Sequence, residues 1–274
     1  MIPGERPRHR LAARRVTWEE LPGAVRREVE AVLGPVAAAR LLPAGSSPLT
    51  AVLESPAGTV CVEGAPLDDG ERAAAFEARA HAAARTAGIA PRMRGRWTVG
   101  GWHVLAHDHA PGRTADLSPG SPDLPLVAAL LDQASLRTGP DALPLLADRL
   151  GAVPGSPGGL GGTGWLGGTG WLAGEWLLHT ALAPGALLVD GRRAWLPDWS
   201  SAARGPAWCD VADAVLCLIN AGHTPAAALD LAAHLPVWSH IRNDTLAAWA
   251  HARRTTGHHE QAPPRALDQL LSHL

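Results

Sequence analysis

Apolar positions follow two different spacings along the chain, and the change falls near Gly112. In the first part, short apolar runs are separated by turn-forming residues, which is typical of β-strands. These runs occupy 37–42, 49–54, 59–63, 94–99 and 101–107. The SPAG turn at 55–58 predicts a hairpin between the second and third runs.

Two segments of the first part carry helical patterns instead. The capping-box pattern before Pro22 and the apolar spacing after it predict a helix that ends near Gly34. An Ala-rich segment with interspersed Glu and Arg at 69–87 predicts a second helix, capped by Asp68 or Asp69. The first hundred residues therefore predict a small sheet crossed by a helix.

The remainder of the chain is predominantly helical. Helical spacing recurs at 123–137, 208–221, 225–234, 244–255 and 264–273, and a shorter apolar segment lies at 142–150. Between them, GGTGWL is repeated in tandem at 161–166 and 167–172. Two copies are too few for a solenoid, so we interpret 151–174 as a Gly-rich linker, with a binding loop around Trp165 and Trp171 as the alternative. The predicted class is α+β.

Composition narrows the possible chemistry. The chain has 274 residues, 46% of them hydrophobic, which is enough for a full core. A formal net charge of -2 gives no general basic field for nucleic acid. All 24 basic side chains counted as Lys or Arg are arginine, so a mechanism that needs a lysine ammonium is excluded.

The cysteines and the hydropathy of the chain bear on its compartment. Cys61, Cys209 and Cys217 lack a CxxC spacing and are odd in number, which favours free buried thiols in a reducing environment. No apolar run reaches the roughly 18 residues of a membrane span, and the N-terminal segment lacks a secretory pattern. We therefore expect a cytoplasmic protein without a membrane partner.

One stretch carries the strongest functional signal. The run LLHTALAPGALLV at 177–189 is followed by Asp198 in LPDWS and then by GPAWCDVADAV at 205–215. The layout resembles the pattern HGDLxPxNLLV…DW…GPxxxDLA of the aminoglycoside phosphotransferase family. Where that pattern has its catalytic Asp and its metal-binding Asn, this chain has Ala181 and Ala186.

The resemblance covers nearly the whole chain and implies a bilobal protein-kinase-like fold. It implies an N-lobe with a small antiparallel sheet at 1–105, a hinge at 106–112 and a helical C-lobe at 113–274. In the family, the aspartate that matches Asp198 binds magnesium. The residues that match His179 and Asp210 mainly hold the catalytic loop in shape. A turn-capping Asp198 and a catalytic base at His179 are the alternative interpretations.

The first part of the chain resembles the nucleotide lobe more loosely. AGSSPLTAVL, with Ser46 and Ser47, stands at the phosphate-loop position, and His107 lies at the hinge that would contact an adenine ring. Glu63 replaces the usual lysine, while Glu77 matches the glutamate that normally pairs with it. Two facing carboxylates would repel each other unless one is protonated or an arginine such as Arg72 or Arg79 lies nearby.

These departures predict a catalytically impaired, pseudokinase-like protein that acts by binding a small molecule or a partner protein. Binding of ATP and Mg²⁺ is expected to be weak or absent. One alternative is an active phosphotransferase, or another nucleotide-dependent enzyme, that uses Asp198 for metal and Glu63, Glu77 or His179 for the lost groups. Another is a scaffold subunit of a biosynthetic enzyme complex.

Overall fold

The computed structural model describes residues 15–42, 47–110, 112–150, 169–255 and 264–274. By its internal contacts the chain forms two units. The first comprises Met1–Phe76 and Met93–His109, and the second comprises Glu77–Arg92 and Ala110–Leu274. Within the described ranges, no helix combines the length and hydrophobicity of a membrane span.

The first unit is a five-stranded antiparallel sheet with helix α1. Its elements are α1 (Gly23–Leu33), β1 (Ala38–Leu41), β2 (Leu49–Ser55), β3 (Gly58–Pro66), β4 (Met93–Val99) and β5 (Trp102–Asp108). The strand order is β1-β2-β3-β5-β4. The predicted hairpin is confirmed, because β2 and β3 pair up to Ser55 and Gly58.

Helix α1 supplies one face of this unit's core. Val25, Val29 and Leu33 are buried, with neighbours such as Val60 of the sheet in the same apolar cluster. The helix ends where predicted, because Gly34 adopts a left-handed φ of 81° and its N–H donates to the Glu30 carbonyl at 2.8 Å.

Helix α2 (Gly70–Ala83) begins in the first unit and continues into the second. Its cap is Asp69, whose Oδ1 accepts a hydrogen bond from the Arg72 N–H at 3.2 Å. The helix ends at Ala83, four residues before the predicted end, and a turn closed by Arg85 follows. The cap prediction is therefore resolved in favour of Asp69.

The second unit is mainly helical. Its helices are α3 (Leu124–Ser135), α4 (Leu146–Leu150), α5 (Trp208–Asn220), α6 (Pro225–Ala233), α7 (Asn243–Thr255) and α8 (Pro264–His273). Its strands are β6 (Arg113–Thr114), β7 (Trp176–Leu178), β8 (Leu188–Val189), β9 (Ala194–Trp195) and β10 (Ala203–Gly205).

Helix α5 lies at the centre of this unit and is buried along most of its length. It packs against α3, α6 and α8. Trp208 at its start meets Trp249 of α7, with ring centroids 6.4 Å apart. The helices predicted from apolar spacing are confirmed, because this core buries the same periodic faces.

The structure adds detail to three further expectations from the sequence. The predicted hinge began at residue 106, but β5 continues to Asp108 and pairs there with β3. None of the three cysteines forms a disulfide, and Cys61 is only partly buried. Of the Gly-rich segment, 151–168 lies outside the described residues, and Thr169–Leu172 form a short 3-10 helix.

Candidate functional site

A two-stranded ribbon brings together the two loops that carry the sequence motif. Strands β7 and β10 are antiparallel, and Leu178 is paired with Ala203. The segment 179–186, called the histidine loop below, leaves this ribbon at the end where 197–202, the aspartate loop, enters it. Residues separated along the sequence are thus placed side by side by strand pairing.

Gly205 shows why the motif has a glycine just after the aspartate loop. A Cβ added to it would lie 2.7 Å from Cδ1 of Leu178 and 3.1 Å from Cβ of Leu146. No side chain fits there without displacing the packed leucines. This glycine therefore allows close packing at the base of the ribbon.

Asp210 fixes the backbone of the histidine loop by hydrogen bonds. Its carboxylate accepts the N–H of His179 at 2.7 Å and the N–H of Thr180 at 2.9 Å. Burial in the first turn of α5 raises the pKa of Asp210, and its hydrogen bonds and neighbouring charges offset this only in part. Asp210 thus determines the direction in which the loop leaves β7.

His179 connects the two loops. Its Nε2 lies 2.9 Å from the Pro197 carbonyl, so this nitrogen carries a hydrogen and donates it. The ring packs edge-on against Trp199 with centroids 5.0 Å apart, and the residue is 1% exposed. A general base needs access to its substrate, and this ring has none.

Thr180 adopts a left-handed backbone conformation with φ of 59°. The family pattern has glycine here, and a β-branched residue in this region costs roughly 1–3 kcal/mol. The threonine hydroxyl donates to the Ser201 carbonyl and accepts from Arg149 Nη1 at 3.3 Å. Arg149 also donates to the carbonyl of Ala202 at 2.8 Å. Side-chain hydrogen bonds therefore hold a turn for which the family uses glycine.

A buried ion pair lies beneath the histidine loop. Arg253 of α7 donates from Nε to Oδ1 of Asp213 at 3.0 Å, and from Nη2 to the Thr180 carbonyl at 3.3 Å. The two side chains are 4% and 3% exposed. Burial raises the pKa of Asp213 to about 6, although the charge of Arg253 acts in the opposite direction.

The aspartate loop carries the single carboxylate of the two loops, that of Asp198. Its Oδ1 lies 3.0 Å from Nε and 2.8 Å from Nη2 of Arg79, and it accepts the Ser200 N–H at 3.3 Å. Burial acts to raise the pKa of Asp198, but the Arg79 charge and these hydrogen bonds prevail and lower it to about 2. The carboxylate is therefore a weak base.

Exposure separates the two partners of this ion pair. The Arg79 side chain is 4% exposed, whereas that of Asp198 is 54% exposed. Asp198 also has a left-handed backbone with φ of 59° and caps the short 3-10 helix Trp199–Ser201. The capping role expected as the alternative interpretation is thus present together with the ion pair.

Ala181 and Ala186 contribute no functional group to the histidine loop. Their methyl side chains neither accept a proton nor coordinate a metal. The loop nevertheless keeps an ordered turn, in which the Ala186 N–H donates to the Ala183 carbonyl at 2.9 Å. The geometry of the loop is thus independent of the residues that would carry the chemistry.

Of the predicted nucleotide contacts, Ser46 lies outside the described residues. Ser47 is 4% exposed, and its carbonyl accepts from the Thr50 hydroxyl at 3.5 Å. In β3, Glu63 is paired with Thr50 on one side and Leu105 on the other. These residues belong to the first unit.

The two remaining candidates lie on different elements. His107 is in β5, where it is paired with Cys61 and Met93. Glu77 is in the part of α2 that belongs to the second unit, and its Oε2 lies 3.7 Å from Nε2 of His81. The pairing of Glu77 with another carboxylate stays a prediction.

The sequence did not predict the ion pair between Arg79 and Asp198. Arg79 lies three residues before Ala82, and both are buried, so this arginine occupies the buried stripe of α2. An arginine on an apolar helical stripe requires a buried or half-buried partner. The position of Arg79 on this apolar stripe was therefore visible in the sequence, although it did not identify Asp198 as the partner.

The donor set at Asp198 does not fit magnesium. This ion prefers six oxygen ligands in an octahedron, and Oδ1 of Asp198 already accepts N–H groups of Arg79 and Ser200. Ala186 provides no side-chain oxygen. Across the described ranges, no group of three or more His, Cys, Asp or Glu residues is arranged to hold a metal.

No family model matches the chain, and no curated protein does. Similar solved structures do exist. A putative fructosamine-3-kinase from Haemophilus somnus 129PT has 12% identity and a TM-score of 0.58, covering 93% of this chain and 96% of its own. Aminoglycoside-3'-phosphotransferase of type VIII has 19% identity and a TM-score of 0.52, covering 88% and 97%.

A third similar structure was solved with ligands. It is a thermostable mutant of aminoglycoside phosphotransferase APH(4)-Ia in a ternary complex with AMP-PNP and hygromycin B. It has 14% identity and a TM-score of 0.51, covering 92% of this chain and 98% of its own. The chain therefore has the α+β, kinase-like fold of aminoglycoside phosphotransferases and related small-molecule kinases, which confirms the resemblance at the level of fold.

Proposed function

We propose that this protein is a non-catalytic relative of the aminoglycoside phosphotransferases that acts by binding a ligand at the histidine and aspartate loops. The observation that carries the proposal is the contrast within the histidine loop. Its backbone is held by Asp210 and His179 through hydrogen bonds of 2.7–2.9 Å, while positions 181 and 186 carry only methyl groups.

The expected loss of rate is large. A positioned general acid or base typically contributes about 10²–10⁴ in rate. A preorganised electrostatic group contributes roughly 10²–10³. Even a combined loss of about 10⁵ would reduce a kinase turnover of about 10 s⁻¹ to one event in hours. Turnover at that rate would serve no ordinary metabolic flux.

An active enzyme would need other residues to replace the missing catalytic groups, and the contacts of two of the candidates weigh against this alternative. His179 is enclosed and donates to the Pro197 carbonyl through Nε2. Asp198, which that alternative uses for the metal, is paired with Arg79 instead, with Oδ1 and Nη2 2.8 Å apart. Docking of a partner enzyme stays a prediction.

The first ligand to test is a nucleotide, because AMP-PNP is bound in one of the similar structures. Isothermal titration calorimetry with ATP and with AMP-PNP, each with and without Mg²⁺, measures whether either binds. The same protein is then incubated with ATP, Mg²⁺ and a panel of aminoglycosides and related alcohols. We expect no phosphorylated product; robust turnover that Asp198→Ala abolishes would refute the proposal.

A repaired loop provides the positive control. The double variant Ala181→Asp/Ala186→Asn restores the two functional groups of the family pattern within a loop that is already ordered. Combining it with Arg79→Gln also relieves the competition for Asp198. ATP hydrolysis by the triple variant, with none by the wild type, would support the assignment of the histidine loop.

A further inference from the structure

Arg79 carries a permanent charge to a place where the kinase-like enzymes use a metal. Its side chain is buried, and Nε and Nη2 both lie within 3.0 Å of the same oxygen of Asp198. A guanidinium stays charged at any physiological pH, and it presents its donors in a fixed plane. The pairing is therefore a built-in feature of the second unit.

We propose that Arg79 is the resident cation of Asp198 and excludes divalent metal, so that ligand binding by this protein is independent of Mg²⁺. The inference rests on the proposed function only in taking Asp198 as the family's metal position. Two features support it: Oδ1 of Asp198 already accepts N–H groups of Arg79 and Ser200, and Ala186 provides no second ligand oxygen.

Charge adds a further reason. A divalent cation at Asp198 would lie beside the guanidinium of Arg79, and like charges at such short range repel strongly. Because the Arg79 side chain is only 4% exposed, it has little room to move into solvent when a metal approaches. The metal would therefore have to displace a packed side chain as well as break the ion pair.

Binding of Mn²⁺ tests the proposal directly, because the free ion is quantified by electron paramagnetic resonance. Four proteins are compared: the wild type, Asp198→Asn, Arg79→Gln and the double variant Arg79→Gln/Asp198→Asn. The matched control is Arg72→Gln, which removes another arginine–aspartate pair of α2, that with Asp69. Circular dichroism confirms that each protein is folded.

We expect the wild type, Asp198→Asn and Arg72→Gln to bind Mn²⁺ equally weakly. Arg79→Gln should bind it at least about tenfold more tightly, because the competing charge is gone, and the double variant should lose this gain. Two results would overturn the proposal. One is wild-type Mn²⁺ binding that Asp198→Asn abolishes; the other is a folded Arg79→Gln that binds Mn²⁺ no better than the wild type.

A measurement on the wild type keeps the test meaningful if Arg79→Gln does not fold. The comparison of wild type with Asp198→Asn needs no change at Arg79, and equal Mn²⁺ binding by both is the expected result. Refuting metal exclusion is also distinct from refuting the proposed function. Detectable turnover would refute the non-catalytic role, whereas Mn²⁺ binding at Asp198 without turnover would refute only metal exclusion.

Discussion

Two arginine–aspartate pairs border the motif loops, and they differ in what the aspartate faces. In the pair of Arg253 and Asp213, both side chains are almost completely buried. In the pair of Arg79 and Asp198, the arginine is buried while more than half of the aspartate side chain is exposed. Of these two pairs, one is enclosed in the protein and the other reaches its surface.

The comparison indicates that exposure, more than the ion pair itself, determines the role of each pair. Arg253 also donates to the Thr180 carbonyl, so the enclosed pair fixes backbone and is inaccessible to ligands. Asp198 combines a fixed cation with a surface open to solvent, which is the combination that a binding site needs. The buried pair should therefore control stability, and the open pair should control recognition.

Removing Arg253 from its buried pair with Asp213 should have the largest effect on stability. Arg253→Met leaves Asp213 buried without its partner, and we expect a loss of about 3–5 kcal/mol in the free energy of unfolding. Urea denaturation measures it. The double variant Arg253→Met/Asp213→Leu should recover much of the loss, because neither partner then leaves the other's charge buried and unpaired. A single variant as stable as the wild type would contradict this role.

Asp210→Ala should have the next largest effect. It leaves the N–H groups of His179 and Thr180 without an acceptor in a buried place, at an expected cost of about 2–3 kcal/mol. Asp210→Asn should cost less, since it keeps one acceptor oxygen. Amide hydrogen exchange should accelerate at His179 and Thr180 in particular. Uniform acceleration across α5 would instead indicate general destabilisation.

Arg79→Gln should cost less than either change, about 1 kcal/mol, because solvent can hydrate the exposed carboxylate of Asp198. Arg254→Gln is a useful control, since both Arg254 and Asp268 of that pair are more than half exposed. The control should change the unfolding free energy by less than about 0.5 kcal/mol. Equal losses in the two variants would remove the distinction between a half-buried pair and an exposed one.

The smallest expected effect is the change with pH in the stability that the pair of Arg79 and Asp198 contributes. Folding lowers the pKa of Asp198 from 3.8 to about 2, so the pair contributes fully above pH 3.8 and its contribution is lost as the pH falls towards 2. The stability advantage of the wild type over Asp198→Asn should therefore shrink between about pH 6 and about pH 3. Urea titrations at both values measure it, and a constant difference would show that the carboxylate is not paired.

Much of the fold was predictable because its longer elements bury periodic apolar faces. Helix α1 and the β2–β3 hairpin are marked by apolar spacing and by turn residues at Gly34 and 55–58. The strands β6 to β10 have only two or three residues each, too few for any period to appear. Their pairing is determined by tertiary contacts and not by local sequence.

The site was predictable only as far as its linear motif. His179, Asp198 and Asp210 were placed together by resemblance, and the structure brings their loops together through the β7–β10 ribbon. The arginines could not be assigned, because Arg79 lies 119 residues from its partner Asp198, and Arg253 lies 40 residues from Asp213. Nothing local in the sequence encodes such pairings.

The ribbon of β7 and β10 has a further consequence for detecting ligands. Because His179 donates to the Pro197 carbonyl and Thr180 to the Ser201 carbonyl, neither loop can shift without the other. A molecule that touches Asp198 alone should therefore perturb the nuclear magnetic resonance signals of the His179 and Thr180 amides. Those two amides are reporters by which a fragment library can be screened before any natural ligand is known.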